Sequence, residues 1–264
     1  MLSEKGYSGE YEFELDEGGC SYSARLVFGA EELIFPSEYQ GKPVVCVFAD
    51  EIGPANRQDV KSVFVPEGVL YLEGALFEAF SSLERITISA SVQYISPECI
   101  IGCDKLYEIE VDPGNENFKT VDGHLYSKDG STFLKAAPAR IGNGFEIPHG
   151  VQKIGKSAFE SCYKVSYFKL SQTVAEIGKN AFMACKSMRE IYLPNSLKKI
   201  CDLAFAYCES LNEIVIPLSA EQIGSNIFFN SNENLRVRCE AVAPGELWDE
   251  EWSDGIKHIE WGCV

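Results

Sequence analysis

Three consecutive stretches of this chain are copies of one another. "VQKIGKSAFESCYKVSYFKLSQT" begins at Val151, "VAEIGKNAFMACKSMREIYLPNS" at Val174 and "LKKICDLAFAYCESLNEIVIPLS" at Leu197, each 23 residues after the last. A partial copy, "AEQIGSNIFF", follows at Ala220, looser ones begin at Val69 and Val92, and a degenerate one, "CVFADEIGPANRQDVKSVFVPEG", begins at Cys46. Turns of this period therefore cover most of residues 46 to 240. No other feature narrows the possible folds so far: one short unit cannot bury its own apolar side, whereas stacked copies form a continuous interior, as in a solenoid.

Within the Val174 copy, Met188, Ile191 and Leu193 lie on one side of the tail "MREIYLP", with Glu190 and Tyr192 between them. That is the alternation of a strand with one buried face. Pro194 ends it, having no N–H for a ladder. The head "VAEI" suits a second short strand, and in "KNAFMAC" the spacing of Ala181, Phe182 and Cys185 suits a helical turn. Stacked turns about 4.8 Å apart place like residues in columns. One column is Phe159, Phe182, Phe205 and Phe228, and another is Cys162, Cys185 and Cys208. Irregular early turns are expected, because the Cys46 copy lacks "AF" and "GALFEAF" displaces the aromatic.

The copy after Val92 is due at position 115 and arrives only at Val151, 36 residues late. Asp122-Gly123 and Asp129-Gly130 flank "HLYSK", so the insertion reads as a β-hairpin or small sheet projecting from one edge of the array.

One motif competes with the repeat. Gly150, Gly155, Lys156 and Ser157 have the G-x-x-x-x-G-K-S spacing of a phosphate-binding loop. In the repeat frame, however, Lys156-Ser157 becomes Lys179-Asn180 and then Asp202-Leu203, so the stretch reads as a packing unit. A nucleotide-binding enzyme using Gly150 to Ser157 is the weakest of three readings.

Composition removes other classes. The net charge of −17, with no basic stripe, argues against nucleic acid as partner. No apolar run approaches the roughly 20 residues a membrane span needs. The start "MLSEKGYSGEYEFELDEGG" has neither a basic beginning nor an apolar stretch, so the sequence as given predicts a cytoplasmic protein. Ten cysteines raise the question of metal or disulfides, but there is no C-x-x-C, only Cys99 and Cys103, and His124, His149 and His258 are scattered. Stacked thiols pointing inward in parallel are awkward to join, and the expectation is a buried column of small apolar side chains. Neither G-x-S-x-G nor H-E-x-x-H occurs, and Asp112 reads as a turn residue after the strand "LYEIEV". No catalysis, metal or cofactor is expected.

The units resemble the BspA-type leucine-rich repeats, which read roughly "IGxxAFxxCxxLxxIxLPxSV". "FPSEYQGKPVVCVFADEI" is similar to that family's lead-in segment, "NENFKTVDGHLYSKDGSTFLKAAPAR" to its inserted hairpin, and "PGELWDEEWSDGIKHIEWG" to its C-terminal helix-and-strand cap. The resemblance implies a β-rich α/β fold: a right-handed solenoid with parallel strand ladders, an inserted hairpin and a cap. The expected single domain, 1–264, has a lead-in at 1–45, early repeats at 46–112, the insertion at 113–150, regular repeats at 151–240 and the cap at 241–264. It also implies a bacterial adhesion or surface protein with protein, host-surface or glycan ligands, secreted or surface-bound if a signal has been removed. An intracellular interaction or assembly module, favoured by the cysteine content, is the second reading. A monomer is expected.

The residues left for function lie on the strand face that points to water. One column reads Phe64, Thr87, Glu110, Lys169, Tyr192, Val215 and Arg238, and the one before it Ser62, Arg85, Glu108, Tyr167, Glu190, Glu213 and Arg236. Aromatic and apolar residues on a water-facing ladder suggest contact with a partner. The candidate ligand-binding residues are Tyr167, Lys169, Glu190, Tyr192, Glu213, Val215 and Arg236, with Tyr167 and Tyr192 as anchors.

Overall fold

The computed structural model describes residues 5–7, 10–27, 29–49 and 55–263. Positions 1–4 of the chain's start and 50–54 of the copy begun at Cys46 lie outside the described residues. The backbone divides into two compact units, Met1–Lys128 with Ala137–Arg140, and Asp129–Ala136 with Ile141–Val264.

The first unit holds β1 (Lys5–Tyr7), β2 (Tyr11–Leu15), β3 (Tyr22–Leu26), β4 (Glu32–Ile34), β5 (Glu38–Tyr39), β6 (Lys42–Phe48), β7 (Ser62–Val65), β8 (Tyr71–Glu73), β9 (Arg85–Ile88), β10 (Tyr94–Ile95), β11 (Glu108–Val111), β12 (Phe118–Val121) and β13 (His124–Ser127). Strands β1 to β3 are antiparallel, after which β3, β6, β8 and β10 run parallel. A second parallel sheet follows the order β11-β9-β7-β4.

The second unit holds β14 (Thr132–Lys135), β15 (Gly144–Glu146), β16 (Lys153–Ile154), β17 (Tyr167–Lys169), β18 (Glu176–Ile177), β19 (Glu190–Tyr192), β20 (Lys199–Ile200), β21 (Glu213–Ile216), β22 (Gln222–Ile223), β23 (Arg236–Cys239), β24 (Leu247–Trp248) and β25 (His258–Trp261). Each turn gives a two-residue strand to one ladder, where Lys153, Glu176, Lys199 and Gln222 stand in register, and a longer strand to another. Both units are β-solenoids with parallel ladders.

The segment read as a helical turn is not helical. Asn180 and Ala184 have φ of 56° and 57°, and the equivalent Leu203 and Tyr207 have 56° and 58°. A left-handed residue outside glycine costs about 1–2 kcal/mol. Here it aims N–H groups along the stack: Asn180, Phe182 and Ala184 donate to the carbonyls of Asp202, Ala204 and Ala206 at 3.1, 2.9 and 2.8 Å. A helix would bond within itself and leave neighbouring turns unlinked.

The Phe column forms as the repeat predicts. Phe159 and Phe182 stack at 5.2 Å, Phe182 and Phe205 at 5.6 Å, and Phe205 and Phe228 at 5.9 Å. In the first unit the aromatic of "GALFEAF" is in frame: Phe77 is buried and stacks on Phe35 at 5.9 Å. The thiols do more than fill space. Cys185 Sγ donates to the carbonyl of Phe159 at 3.2 Å, Cys208 to Phe182 at 3.3 Å and Cys103 to Phe77 at 3.0 Å. One turn later Ser231 Oγ makes the same bond to Phe205 at 2.7 Å. The column therefore selects a small donor rather than a small hydrophobe. All ten cysteines are free thiols, and burial pushes those of Cys185 and Cys208 well above the usual range.

The insertion does not project. A two-residue turn at Asp122-Gly123, with φ of 48° and 75°, joins β12 to β13. Within the first unit the hairpin lies against β11: Thr120 Oγ1 donates to Ile109 O at 2.7 Å and accepts from Val111 N at 2.9 Å. His124, Leu125 and Tyr126 are buried, which is why it stays against the core. The rest of the insertion joins the second unit, where β14 pairs with β16 and Phe133 stacks on Phe159 at 4.5 Å.

The expected helix of the C-terminal cap is also replaced. β24 and β25 continue the two ladders, linked by turns at 250–255 with Gly255 at φ 82°. Trp248 packs against Trp252 at 5.0 Å and Trp261 at 5.9 Å, and Trp252 meets the edge of Phe228 at 6.5 Å. The large rings cover the last apolar layer, so no helix is needed to bury it.

Candidate functional site

The G-x-x-x-x-G-K-S stretch is a turn of the stack. The N–H of Gly155 bonds Phe133 O at 2.8 Å, that of Ser157 bonds Lys179 O at 3.0 Å and that of Phe159 bonds Ala181 O at 2.8 Å. A phosphate cradle needs such groups free and a helix to follow them, and neither condition is met. Asp112 is the turn residue expected, its carboxylate accepting from Gly114 N at 2.7 Å. Among the described residues no group of three or more His, Cys, Asp and Glu is placed to hold a metal. No helix there is long and apolar enough to cross a membrane.

The outward strand face has the two columns inferred from the alternation, because Phe168, Ile191 and Ile214 point inward and are buried. In the first unit Ile34, Phe64, Thr87 and Glu110 stand in register, as do Glu32, Ser62, Arg85 and Glu108. Ile34 and Phe64, 64% and 45% exposed, form an apolar pair that the repeat frame could not supply in full, since Ile34 precedes the first copy. The outward position of Ile34 between inward Leu33 and Phe35 was the available signal.

In the second unit Gly144, Tyr167 and Glu190 form one run and Glu146, Lys169 and Tyr192 the next. Glu213, Arg236 and His258, and Val215, Arg238 and Glu260, continue these two positions on β21, β23 and β25. The two proposed anchors differ. A Cβ on Gly144 would sit 1.8 Å from the Tyr167 ring, so that ring lies flat over the glycine and covers the strand at the start of its sheet. Tyr167 is therefore partly structural, although 38% exposed. Tyr192 is 56% exposed, and its hydroxyl donates to Glu190 Oε2 at 2.7 Å, an acceptor that raises its pKa. Lys169 pairs with Glu146 at 3.3 Å, while Arg238 reaches Glu213 at 3.5 Å and Glu260 at 3.7 Å. Such exposed pairs contribute roughly 0.2–1 kcal/mol each.

The ladder opens between β19 and β21. They are not hydrogen-bonded neighbours: the outward strands form two separate sheets, β15-β17-β19 and β21-β23-β25. In the preceding turns Ile147 N bonds Lys169 O at 2.8 Å and Leu170 N bonds Tyr192 O at 3.1 Å, but the corresponding bond from Leu193 N to Val215 O is missing. Only Asn212 N to Arg189 O, at 3.4 Å, spans that end. The result is a cleft of about 340 Å³ lined by Glu190, Ile191, Tyr192, Leu193, Glu213, Ile214 and Val215. Four of the seven candidate residues thus meet in one place, with Tyr167 and Lys169 one strand to one side and Arg236 one strand to the other. No residue pattern announces this cleft, because it is a backbone separation between two well-matched copies.

Comparison with known proteins agrees with this architecture. A leucine rich cell surface protein from Faecalibacterium prausnitzii A2-165 superposes with a TM-score of 0.54 at 17% identity, covering 100% of this chain and 96% of that one. The pneumococcal vaccine antigen PcpA does so with a TM-score of 0.54 at 16% identity, covering 99% and 88%. At these identities the likeness is one of fold. No curated protein matches the chain. The profile of the BspA type leucine rich repeat region matches residues 55–131 and 142–237 in six copies. Since these ranges span more than half the sequence and coincide with the stacked turns seen here, the chain belongs to the BspA-type leucine-rich repeat family.

Proposed function

We propose that this protein is a non-catalytic binding scaffold that holds a protein partner on the outward strand face of its second unit. The observation that carries the reading is the exposed Tyr192 ring beside the cleft between β19 and β21. A large, rigid amphipathic side chain at the lip of a recess is the usual form of a binding anchor. Repeat proteins also present extended surfaces of this kind. The two structural neighbours, one described as a cell surface protein and one as a vaccine antigen, favour a place at a bacterial surface with a host protein or glycan as ligand.

The intracellular assembly reading draws on the free thiols, but most are shielded in either compartment. Cys99, Cys103, Cys162, Cys185, Cys208 and Cys239 are buried, and thiol content alone does not separate the two locations.

The test is a photo-crosslinking residue placed at Tyr192 or at Glu209, applied with the protein in its own extract. Crosslinks to a discrete protein from position 192 and none from 209 are the expected result. Equal labelling from both positions would remove the strand face as the binding surface.

A further inference from the structure

Ion pairs join neighbouring turns of the second unit at several positions, but among the described residues none spans the opening between β19 and β21. Lys153 pairs with Glu176 at 2.9 Å, Lys169 with Glu146 at 3.3 Å, Lys179 with Asp202 at 3.9 Å, Lys186 with Glu209 at 2.9 Å and Lys198 with Glu221 at 2.6 Å. In each case an acid faces a base one repeat away. Glu190 and Glu213 are also one repeat apart, but both are acids, and like charges on neighbouring strands repel. It is between their strands that the ladder opens. Glu190 receives only the neutral Tyr192 hydroxyl. Glu213 has Arg236 in register on the next strand and Arg238 at 3.5 Å, the latter shared with Glu260.

The walls of the opening are Tyr192 on one side and Val215 on the other, over Ile191 and Ile214. A flat aromatic face and two carboxylates favour a planar cation with several donors. Guanidinium has that form: it donates in a fork to carboxylates, stacks on tyrosine and is weakly hydrated, whereas ammonium is a compact, strongly hydrated point charge. The net charge of −17 draws basic partners towards the molecule. We infer that the cleft between β19 and β21 takes an arginine side chain presented by the partner protein. The guanidinium lies between Glu190 and Glu213 against the Tyr192 ring. This rests on the strand-face reading and names the chemistry of its partner.

The probe is a capped Gly-Gly-Arg-Gly-Gly peptide titrated into isotope-labelled full-length protein at fixed ionic strength, with amide chemical shifts as the readout. The same peptide with citrulline, a neutral isostere, and with lysine in place of arginine are the comparisons. The arginine peptide is expected to shift Ile191, Leu193, Glu213 and Val215, with the lysine peptide weaker and the citrulline peptide inactive. Glu190→Gln with Glu213→Gln should weaken binding by about tenfold or more, since hydrogen bonds to charged groups are being lost. Glu209→Gln with Glu221→Gln removes the same charge from other faces and should change it by less than about twofold, as expected for screened, distant charges. Equal losses in both double variants would reduce the effect to net charge and overturn the assignment, as would equal binding of citrulline or lysine. If crosslinks from position 192 persist undiminished in the Glu190→Gln/Glu213→Gln protein, the face is right and the arginine assignment is wrong. If the arginine peptide binds as described while position 192 captures no protein, the slot stands and the scaffold reading falls.

Discussion

The two units are built on one 23-residue frame, yet the unit with the more regular sequence has the less continuous face. In the first unit the copies are loose, but the outward sheet runs unbroken through β11, β9, β7 and β4. In the second the copies match at nearly every inward position, and the outward sheet divides between β19 and β21. The inward columns and the outward face thus answer to different pressures. Phe, Cys and Ile repeat because the neighbouring turns must pack and bond against the same groups, while the outward residues are free to differ. The aromatic stacks diverge in the same way. Phe133, Phe159, Phe182, Phe205 and Phe228 form one uninterrupted pile in the second unit. In the first, Phe77 stacks on Phe35 and the position one repeat later is Ile100.

That contrast is sharpest in the cores. Phe182→Ala removes a ring packed between Phe159 and Phe205 and against Phe168, and should cost about 3–5 kcal/mol of stability. Phe77→Ala, stacked on one side by Phe35, and Phe228→Ala, at the end of its pile, should each cost less. Urea unfolding midpoints of the three variants decide the matter. Equal losses would mean that the continuous pile adds nothing beyond ordinary burial.

The units should also part company with acid. Burial, followed by the nearby Arg140, pushes the His124 pKa down from 6.5 to about 4. Its Nδ1 accepts from Ala137 N at 3.0 Å, so the neutral ring is the bound form. An unfolded chain takes up that proton near pH 6.5, so the stabilisation is complete above that pH. It is lost as pH falls through the window from 6.5 towards 4, by roughly 3 kcal/mol for a shift of this size. His149 and His258 in the second unit are exposed. Hydrogen exchange followed from pH 7 to 4 should show the first unit loosening first, and His124→Gln should flatten the response. Simultaneous loosening of both units in that variant and its parent would contradict the assignment.

A smaller effect tests what both units share. Cys185→Ala removes the donor to Phe159 O and should cost on the order of 1 kcal/mol, a typical net hydrogen bond, whereas Cys185→Ser should cost less because Ser231 already fills that role. If serine proves worse than alanine in thermal melts, the column is apolar packing after all.

These comparisons also show what could be read from the residues. The columns, the strand alternation and the failure of the phosphate-loop reading were legible because side-chain identity recurs with the turn. The donor role of the thiols was written at Ser231, where serine occupies a cysteine position. The remainder depended on backbone placement. Left-handed Asn180 and Ala184 turned an apparent helix into a ladder, the buried faces of His124 and Tyr126 folded the insertion inward, and Gly144 drew Tyr167 down as a cover. Tyr126, in the hairpin expected to project, is a core residue. Of the candidate site, the residue types were visible, but not the opening that brings Glu190, Tyr192, Glu213 and Val215 around one space.

The most direct measurement is the exchange of individual amides across that opening. Leu170 N and Glu190 N bond Tyr192 O and Ser166 O at 3.1 and 3.3 Å, whereas Leu193 N and Glu213 N, one repeat on, lack the matching bonds. In the free protein Leu193 and Glu213 should exchange at least about tenfold faster than Leu170 and Glu190, as amides without a ladder partner do. Equal protection of both pairs in the free protein would mean that the ladder is continuous there and that no cleft exists to receive a partner.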